Sequence, residues 1–118
     1  MRLPENTEDP KNPNRGPILL NAGDLEYPHL AWKVSLEGIV KVSVDIDTSG
    51  SVTNVKVLER QFNADAVYTA SNEIVKVKDI VDEPTINFYK QCKYLPAMRD
   101  SIPITTTIYT GMNYHLVK

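Results

Sequence analysis

The segment Asp45-Ile46-Asp47-Thr48-Ser49-Gly50 carries oxygen-bearing side chains at alternate positions ahead of a glycine, the spacing of the first half of a calcium loop. The second half does not follow, because the position that would supply a bidentate glutamate is Lys56. The run reads more simply as a strand entering a hairpin turn. His29 and His115 are the only histidines and Cys92 is the only cysteine. A Cys-His nucleophile pair needs spatial adjacency and an orienting third group, whereas Cys92 falls in an amphipathic stripe, where a small buried thiol is the commoner role. Three dispersed N and S ligands do not compose a zinc site. No glycine-rich phosphate loop, HExxH or GxSxG element occurs. No catalytic residue, metal ligand or cofactor is expected, and the chain is not expected to be an enzyme. Trp32, Tyr27, Phe88, Tyr89 and Tyr94 could form a ligand-stacking surface, but all lie in helix-period patterns, and core packing is the expectation.

These side chains must be positioned by one small domain, since 118 residues hold a single core. The formal net charge is -2 with both signs interspersed, which gives no basic surface for a phosphate backbone and excludes nucleic acid as a partner. A lone cysteine forms no internal disulfide. No apolar run approaches the ~18 to 20 residues that span a bilayer, and the N-terminus lacks signal-peptide regions. The expectation is a soluble piece whose anchor and export signal, if it has them, lie outside these residues.

Residues 1–17 hold four of the eight prolines among charged and amide side chains. With so little to bury, this stretch reads as a semi-extended Pro-rich linker, and the folded domain is expected over 18–118. From Asp24 a short helix is predicted, with Pro28 in its first turn, Gly38 at its stop, Tyr27, Ala31 and Val34 on one face, and Trp32 and Leu36 in a second apolar row. Val40, Val42, Val44 and Ile46 alternate with Lys41, Ser43, Asp45 and Asp47, the period of a strand with one wet face. Asp47-Thr48-Ser49-Gly50 then turns the chain into a returning strand, with a bulge expected near Thr53-Asn54 because Val52 and Val55 break the alternation. Residues 61–81 read as an extra hairpin or a long loop, Ala64 to Ala70 pairing with Ile74 to Lys78. A second helix is predicted from Asp82-Glu83-Pro84 through Ile86, Phe88, Tyr89, Cys92 and Leu95, ended by Pro96. A last strand follows from about Pro103 to Leu116, with Gly111 as its expected bend or bulge. The fold class is therefore α+β: a small antiparallel sheet of about three strands, two helices packed on one face, and an insertion around 61–81.

Tyr27-Pro28 opens the first helix and Leu36-Glu37-Gly38 precedes the alternating strand. Then come Asp47-x-x-Gly50-x-Val52-x-x-Val55-x-Val57-Leu58 and, far downstream, Lys93-Tyr94-Leu95-Pro96-Ala97 and Ile102-Pro103-Ile104. Taken together these resemble the C-terminal domain of TonB-family energy transducers over residues 18–60 and 84–116. The resemblance implies a periplasmic domain tethered to the inner membrane by an N-terminal helix, coupled to the proton gradient through ExbB and ExbD. It implies capture of the Ton-box peptide of outer-membrane TonB-dependent receptors by strand addition. The partner-binding residues it implies are Pro103, Ile104, Thr105, Thr106, Thr107, Ile108, Tyr109 and Thr110, with Tyr27 and Pro28. An unprotected edge of this kind also permits a homodimer by strand pairing. Two features depart from the family pattern: a longer stretch between Arg60 and Asp82, and Leu25-Glu26 in place of the Gln-Pro pair that often precedes Tyr-Pro. A TolA-like domain or an adaptor of an envelope or secretion assembly would give much the same sequence, and both readings stay open here.

Overall fold

Alternating valines decide the centre of the fold. In the computed structural model, which describes residues 9–115, the order is β1 (Ile18–Asn21), α1 (His29–Lys33), β2 (Gly38–Ile46), β3 (Val52–Phe62), β4 (Ala66–Tyr68), β5 (Ile74–Lys76), α2 (Val77–Lys90), β6 (Lys93–Leu95), β7 (Ala97–Arg99), β8 (Ile102–Ile104) and β9 (Thr106–Tyr114). Expectations about residues 1–8 and about Leu116 lie outside the described residues. β2 is the middle strand of an antiparallel sheet ordered β3-β2-β9. Its Val40, Val42, Val44 and Ile46 point to one side and are buried. On that side α2 covers them with Val77, Ile80, Val81, Thr85, Phe88 and Tyr89, a stripe at helical spacing. The α+β class holds, but the chain is richer in strands than a three-stranded sheet, because three further two-stranded ladders (β1-β6, β4-β5 and β7-β8) surround the central one.

The β2-β3 hairpin forms as the alternation predicts. Gly50 sits at φ 83, and a Cβ there would lie 1.8 Å from the carbonyl oxygen of Tyr94, so both the backbone and the close approach require glycine. Gly50 accepts the Tyr94 N–H at 3.0 Å and Ser51 Oγ accepts the Lys93 ammonium at 2.7 Å. The Asp-x-x-Gly turn and the Lys-Tyr-Leu-Pro segment are thus one structural unit. Asp47 closes the turn, its Oδ1 accepting the N–H groups of Ser49 and Ser51 and the Ser49 hydroxyl. The Ser49 hydroxyl and the Ser51 amide hold its carboxyl below the usual range. Its oxygens serve the turn, and among the described residues no group of three or more His, Cys, Asp or Glu is placed to hold a metal ion. The expected bulge is present: Asp45 faces Asn54 and Ile46 faces Val52, leaving Thr53 extra. A second extra residue, Leu58, was not signalled by the sequence pattern.

Both helices differ from their predicted spans. α1 has five residues and ends at Lys33, with Val34 as its C-cap, rather than running to Gly38. Ser35 adopts φ 53, its N–H donates to Trp32 O at 3.2 Å, and the Leu36 N–H donates to Ala31 O at 2.8 Å, a Schellman closure with serine in the left-handed position. Stopping there buries Ala31 and Leu36 but leaves Val34 exposed and Trp32 61% exposed, with its ring stacked on His29. The core assignment for Trp32 is therefore corrected, while Phe88, Tyr89 and Tyr94 are buried. α2 begins at Val77, so Pro84 stands inside the helix rather than in its first turn. Val77 and Ile80-Val81 belong to the same buried stripe as Phe88 and Tyr89, and that packing outweighs the donor that Pro84 cannot supply to Ile80. The helix also ends before Pro96, at Lys90, and Lys93–Leu95 becomes β6, paired with β1. Of the 61–81 stretch, the first two residues finish β3, the last five begin α2, and the β4-β5 hairpin lies between, with Tyr68 opposite Ile74 and Asn72 at φ 61 in its turn.

Part of the predicted linker, Pro13 to Arg15, is engaged by the folded domain. Arg15 and Met98 exchange hydrogen bonds at 3.0 and 2.9 Å, Ser101 N–H donates to Pro13 O at 3.0 Å, and Asp100 N–H donates to Asn14 Oδ1 at 2.9 Å. These contacts hold the β7-β8 hairpin. A chain beginning at Ile18 is expected to lose roughly 1–3 kcal/mol, at ~0.5–1.5 per net hydrogen bond with discount for exposure. Its amide spectrum should shift at Met98, Asp100 and Ser101. Coincident spectra over 97–104 would show that the arm contributes nothing.

Candidate functional site

β9 is the outer strand on one side of the central sheet, and its hydrogen-bonding pattern follows from the two ends of β2. At one end Asp47 N–H donates to Ser51 O at 2.9 Å, and at the other Glu37 O accepts from Asn63 N–H at 3.1 Å. Both bonds face β3, so the odd-numbered residues of β2 pair with β3 and the even-numbered ones with β9. The register Val44↔Ile108, Val42↔Thr110 and Val40↔Met112 then directs the N–H and C=O of Ile108, Thr110 and Met112 to β2. Those of Thr107, Tyr109, Gly111 and Asn113 point away from the sheet. Among the described residues no strand pairs with that side.

The two outer strands differ in chemistry. β3 carries Lys56, Glu59 and Arg60, is bulged twice, and is clipped to α2 by Arg60, whose guanidinium bonds both carboxylate oxygens of Asp82. Charges and bulges are the usual protection of an exposed edge. β9, Thr-Thr-Ile-Tyr-Thr-Gly-Met-Asn-Tyr, has no charge, no proline and an uninterrupted register with β2 from Thr106 to Tyr114. Of the bend or bulge expected at Gly111, the bulge is absent, since the register with β2 runs through it unbroken.

The predicted site residues divide among three places. Thr106, Thr107, Ile108, Tyr109 and Thr110 lie on β9, with Thr107 and Tyr109 facing outward and the Thr107 hydroxyl donating to Asp45 Oδ1 at 2.7 Å. Pro103 and Ile104 do not continue this strand. They belong to β8 and pair with Met98 and Ala97 across a tight turn in which Asp100 and Ser101 have φ 51 and 65, and Thr105 links the two strands. Tyr27 and Pro28 are at the other end of β9. Pro28 caps α1, and the Tyr27 hydroxyl donates to Leu36 O at 2.5 Å while its ring meets Tyr114 edge-on at 5.4 Å. Burial first, and Glu37 second, push the Tyr27 phenol up. Tyr27 with Glu37, Asn113 and His115 lines a groove at this end of the sheet. Sequence reasoning missed Asn113 and Gly111, although counting by twos from Thr107 reaches both.

Tyr114 holds this end of β9 to α2. Its hydroxyl is 2.7 Å from Thr85 Oγ1 and 3.1 Å from Val81 O, and the Thr85 hydroxyl donates to Val81 O at 2.7 Å. Burial pushes the phenol up to about 12. A proton held more tightly in the folded state than in the unfolded one, where a tyrosine titrates near pH ~10, gives stability that is complete below that pH and lost as the pH rises toward 12. Urea midpoints should therefore fall from about pH 10 upward. Tyr114→Phe should cost ~1–2 kcal/mol at neutral pH and flatten part of the alkaline loss. An alkaline profile identical in the two proteins would contradict the buried phenol.

Residues 24–76 match the family described as Gram-negative bacterial TonB protein C-terminal. The resemblance to TonB C-terminal domains is borne out over that segment. A curated relative, Protein TonB of Yersinia enterocolitica, is 48% identical over 44 residues, which cover 37% of this chain and 17% of the relative. The TonB-family match takes in α1, the β2-β3 hairpin and also β4-β5, so it runs across part of the stretch read as an insertion. It ends ahead of α2 and β9.

Proposed function

We propose that this chain is the strand-capturing domain of a TonB-type energy transducer, taking the extended Ton-box peptide of an outer-membrane transporter onto the free edge of β9. One observation carries the reading: of the two outer strands of the sheet, the charged and bulged one is protected, and the uncharged, regular one is left with its outward N–H and C=O groups unused by any described strand. Main-chain bonds at Thr107, Tyr109, Gly111 and Asn113 supply the pairing, and neighbouring side chains tune it. The TonB-family match supports the periplasmic setting, the membrane tether and the ExbB and ExbD coupling as parts of the same proposal. In an antiparallel pairing the inter-strand bonds lie across the strands, so a pull along the strand axis loads them together, and the partner's side chains need not be fixed.

A pull-down from outer-membrane extract tests it. Recovery of TonB-dependent receptors, competed by their own Ton-box peptides, is the expected result. Recovery of a fixed set of envelope or secretion-assembly proteins, with no competition by such peptides, would replace the transducer with a TolA-like or assembly adaptor.

A further inference from the structure

Gly111 interrupts the outer row of β9. It stands between Tyr109 and Asn113 on the face away from α2, opposite Lys41 of β2. A Cβ at Gly111 would come within 2.9 Å of Ile39 Cδ1 and 3.2 Å of Cγ1. The missing side chain thus lets Ile39 of the middle strand lean across the edge strand. Around it lies a groove of about 520 Å³ lined in part by Ile39, Leu58, Tyr109 and Gly111. Tyr109 is 74% and Leu58 48% exposed. The nearby charges, Lys41 and Glu59, are paired with each other at 3.4 Å, so the groove is electrically neutral.

We infer that this glycine window sets the register and the side-chain preference of the captured strand: one bulky aliphatic or aromatic residue sits opposite Gly111, against Ile39 and Tyr109. The inference rests on the strand-capture reading above. The outward backbone groups of Thr107, Tyr109, Gly111 and Asn113 repeat every two residues, so a peptide slipped by two makes equivalent main-chain bonds. Something other than the backbone must fix its position. Residues of an added strand opposite these four point to the same face as they do. Opposite Thr107, Tyr109 and Asn113 an incoming side chain meets another side chain, whereas opposite Gly111 it reaches the apolar floor of Ile39. A carboxylate or ammonium there would be desolvated next to an ion pair already satisfied, so the neutral groove selects an uncharged group.

The test uses two capped nine-residue synthetic peptides of alternating Thr and Ser, one with Phe and the other with Ala at the centre. Each is titrated into the full chain while the backbone amides and the isoleucine methyl groups are followed by NMR. The expected result is shifts along 107–113, a ring-current shift at the Ile39 Cδ1 methyl with the Phe peptide, and about tenfold tighter binding of Phe than Ala. Gly111→Val should abolish that preference, so that the Phe and Ala peptides bind within about twofold of each other. Ile39→Ala, which keeps the glycine, should reduce it independently if the valine variant does not fold. Shifts along β9 with no response at Ile39, or a Phe preference that survives both substitutions, would overturn the window and leave strand capture standing. No shift along β9 with either peptide would overturn both.

Discussion

Val44→Asp is expected to unfold most of the domain at temperatures where the parent chain is stable. Val44 has no exposed surface, lies in the middle strand, and is flanked by Val55 on β3 and Ile108 on β9. A carboxylate there loses its hydration with no cation in reach and also forfeits the buried valine, a combined cost of more than ~3 kcal/mol. Against a total of roughly 5–15 kcal/mol for a small domain, that is a large share. A thermal melt would show a midpoint lower by roughly 12 °C or more, at ~4–8 °C per kcal/mol for a domain near this size. Ser43→Ala, one residue away on the opposite face, should change stability by less than ~0.5 kcal/mol. Lys41→Ala loses only an exposed ion pair with Glu59, worth ~0–1 kcal/mol. Equal midpoints for Val44→Asp and the parent would mean that the sheet buries the other face.

The β2-β3 hairpin was legible because two independent signals agree: the strict alternation from Val40 to Ile46, and an Asp-x-x-Gly turn whose glycine adopts the left-handed conformation. The helices were less legible because their local signals conflict with packing. Gly38 looks like a stop, yet Ser35 takes the left-handed position, since that is where the chain must leave the helix to bury Ala31 and Leu36. Pro84 looks like a first-turn residue, yet the stripe Val77, Ile80, Val81 extends the helix upstream of it, and a Val-Lys-Val-Lys sequence reads equally as strand. Lys93-Tyr94-Leu95 continues the apolar spacing of α2 but is claimed by β1 and by the Gly50 turn, partners far away in the chain. Tertiary pairing of this kind leaves no local mark. The candidate edge came from the TonB-family resemblance, with the strand's length and lack of charge in agreement, whereas the direction of each N–H required the register with β2. The departure of Pro103 and Ile104 into β8 required the turn at Asp100-Ser101.

Proline scanning of β9 should separate its two sides. Thr107 pairs with Asp45 and by the alternation of β2 points its N–H outward, whereas Ile108 pairs with Val44 and points its N–H into the sheet. Thr107→Pro should leave the domain folded, because proline is tolerated on an edge strand where the missing donor faces solvent. The substitution also removes the hydroxyl bond to Asp45, a loss of ~0.5–1.5 kcal/mol that Thr107→Ala isolates. Ile108→Pro removes a ladder bond beside a buried valine and should cost roughly 3 kcal/mol or more. Binding should show the reverse selectivity. Thr107→Pro deprives an added strand of one main-chain donor and places a ring where it must approach, and affinity for a Ton-box peptide should fall about tenfold or more while Thr107→Ala binds nearly as the parent does. The measurement is paired: a urea melt for each variant and an amide-detected peptide titration for those that fold. Undiminished binding by a well-folded Thr107→Pro would move the capture surface off this edge, because the substitution takes away an outward donor and leaves the ladder with β2 intact.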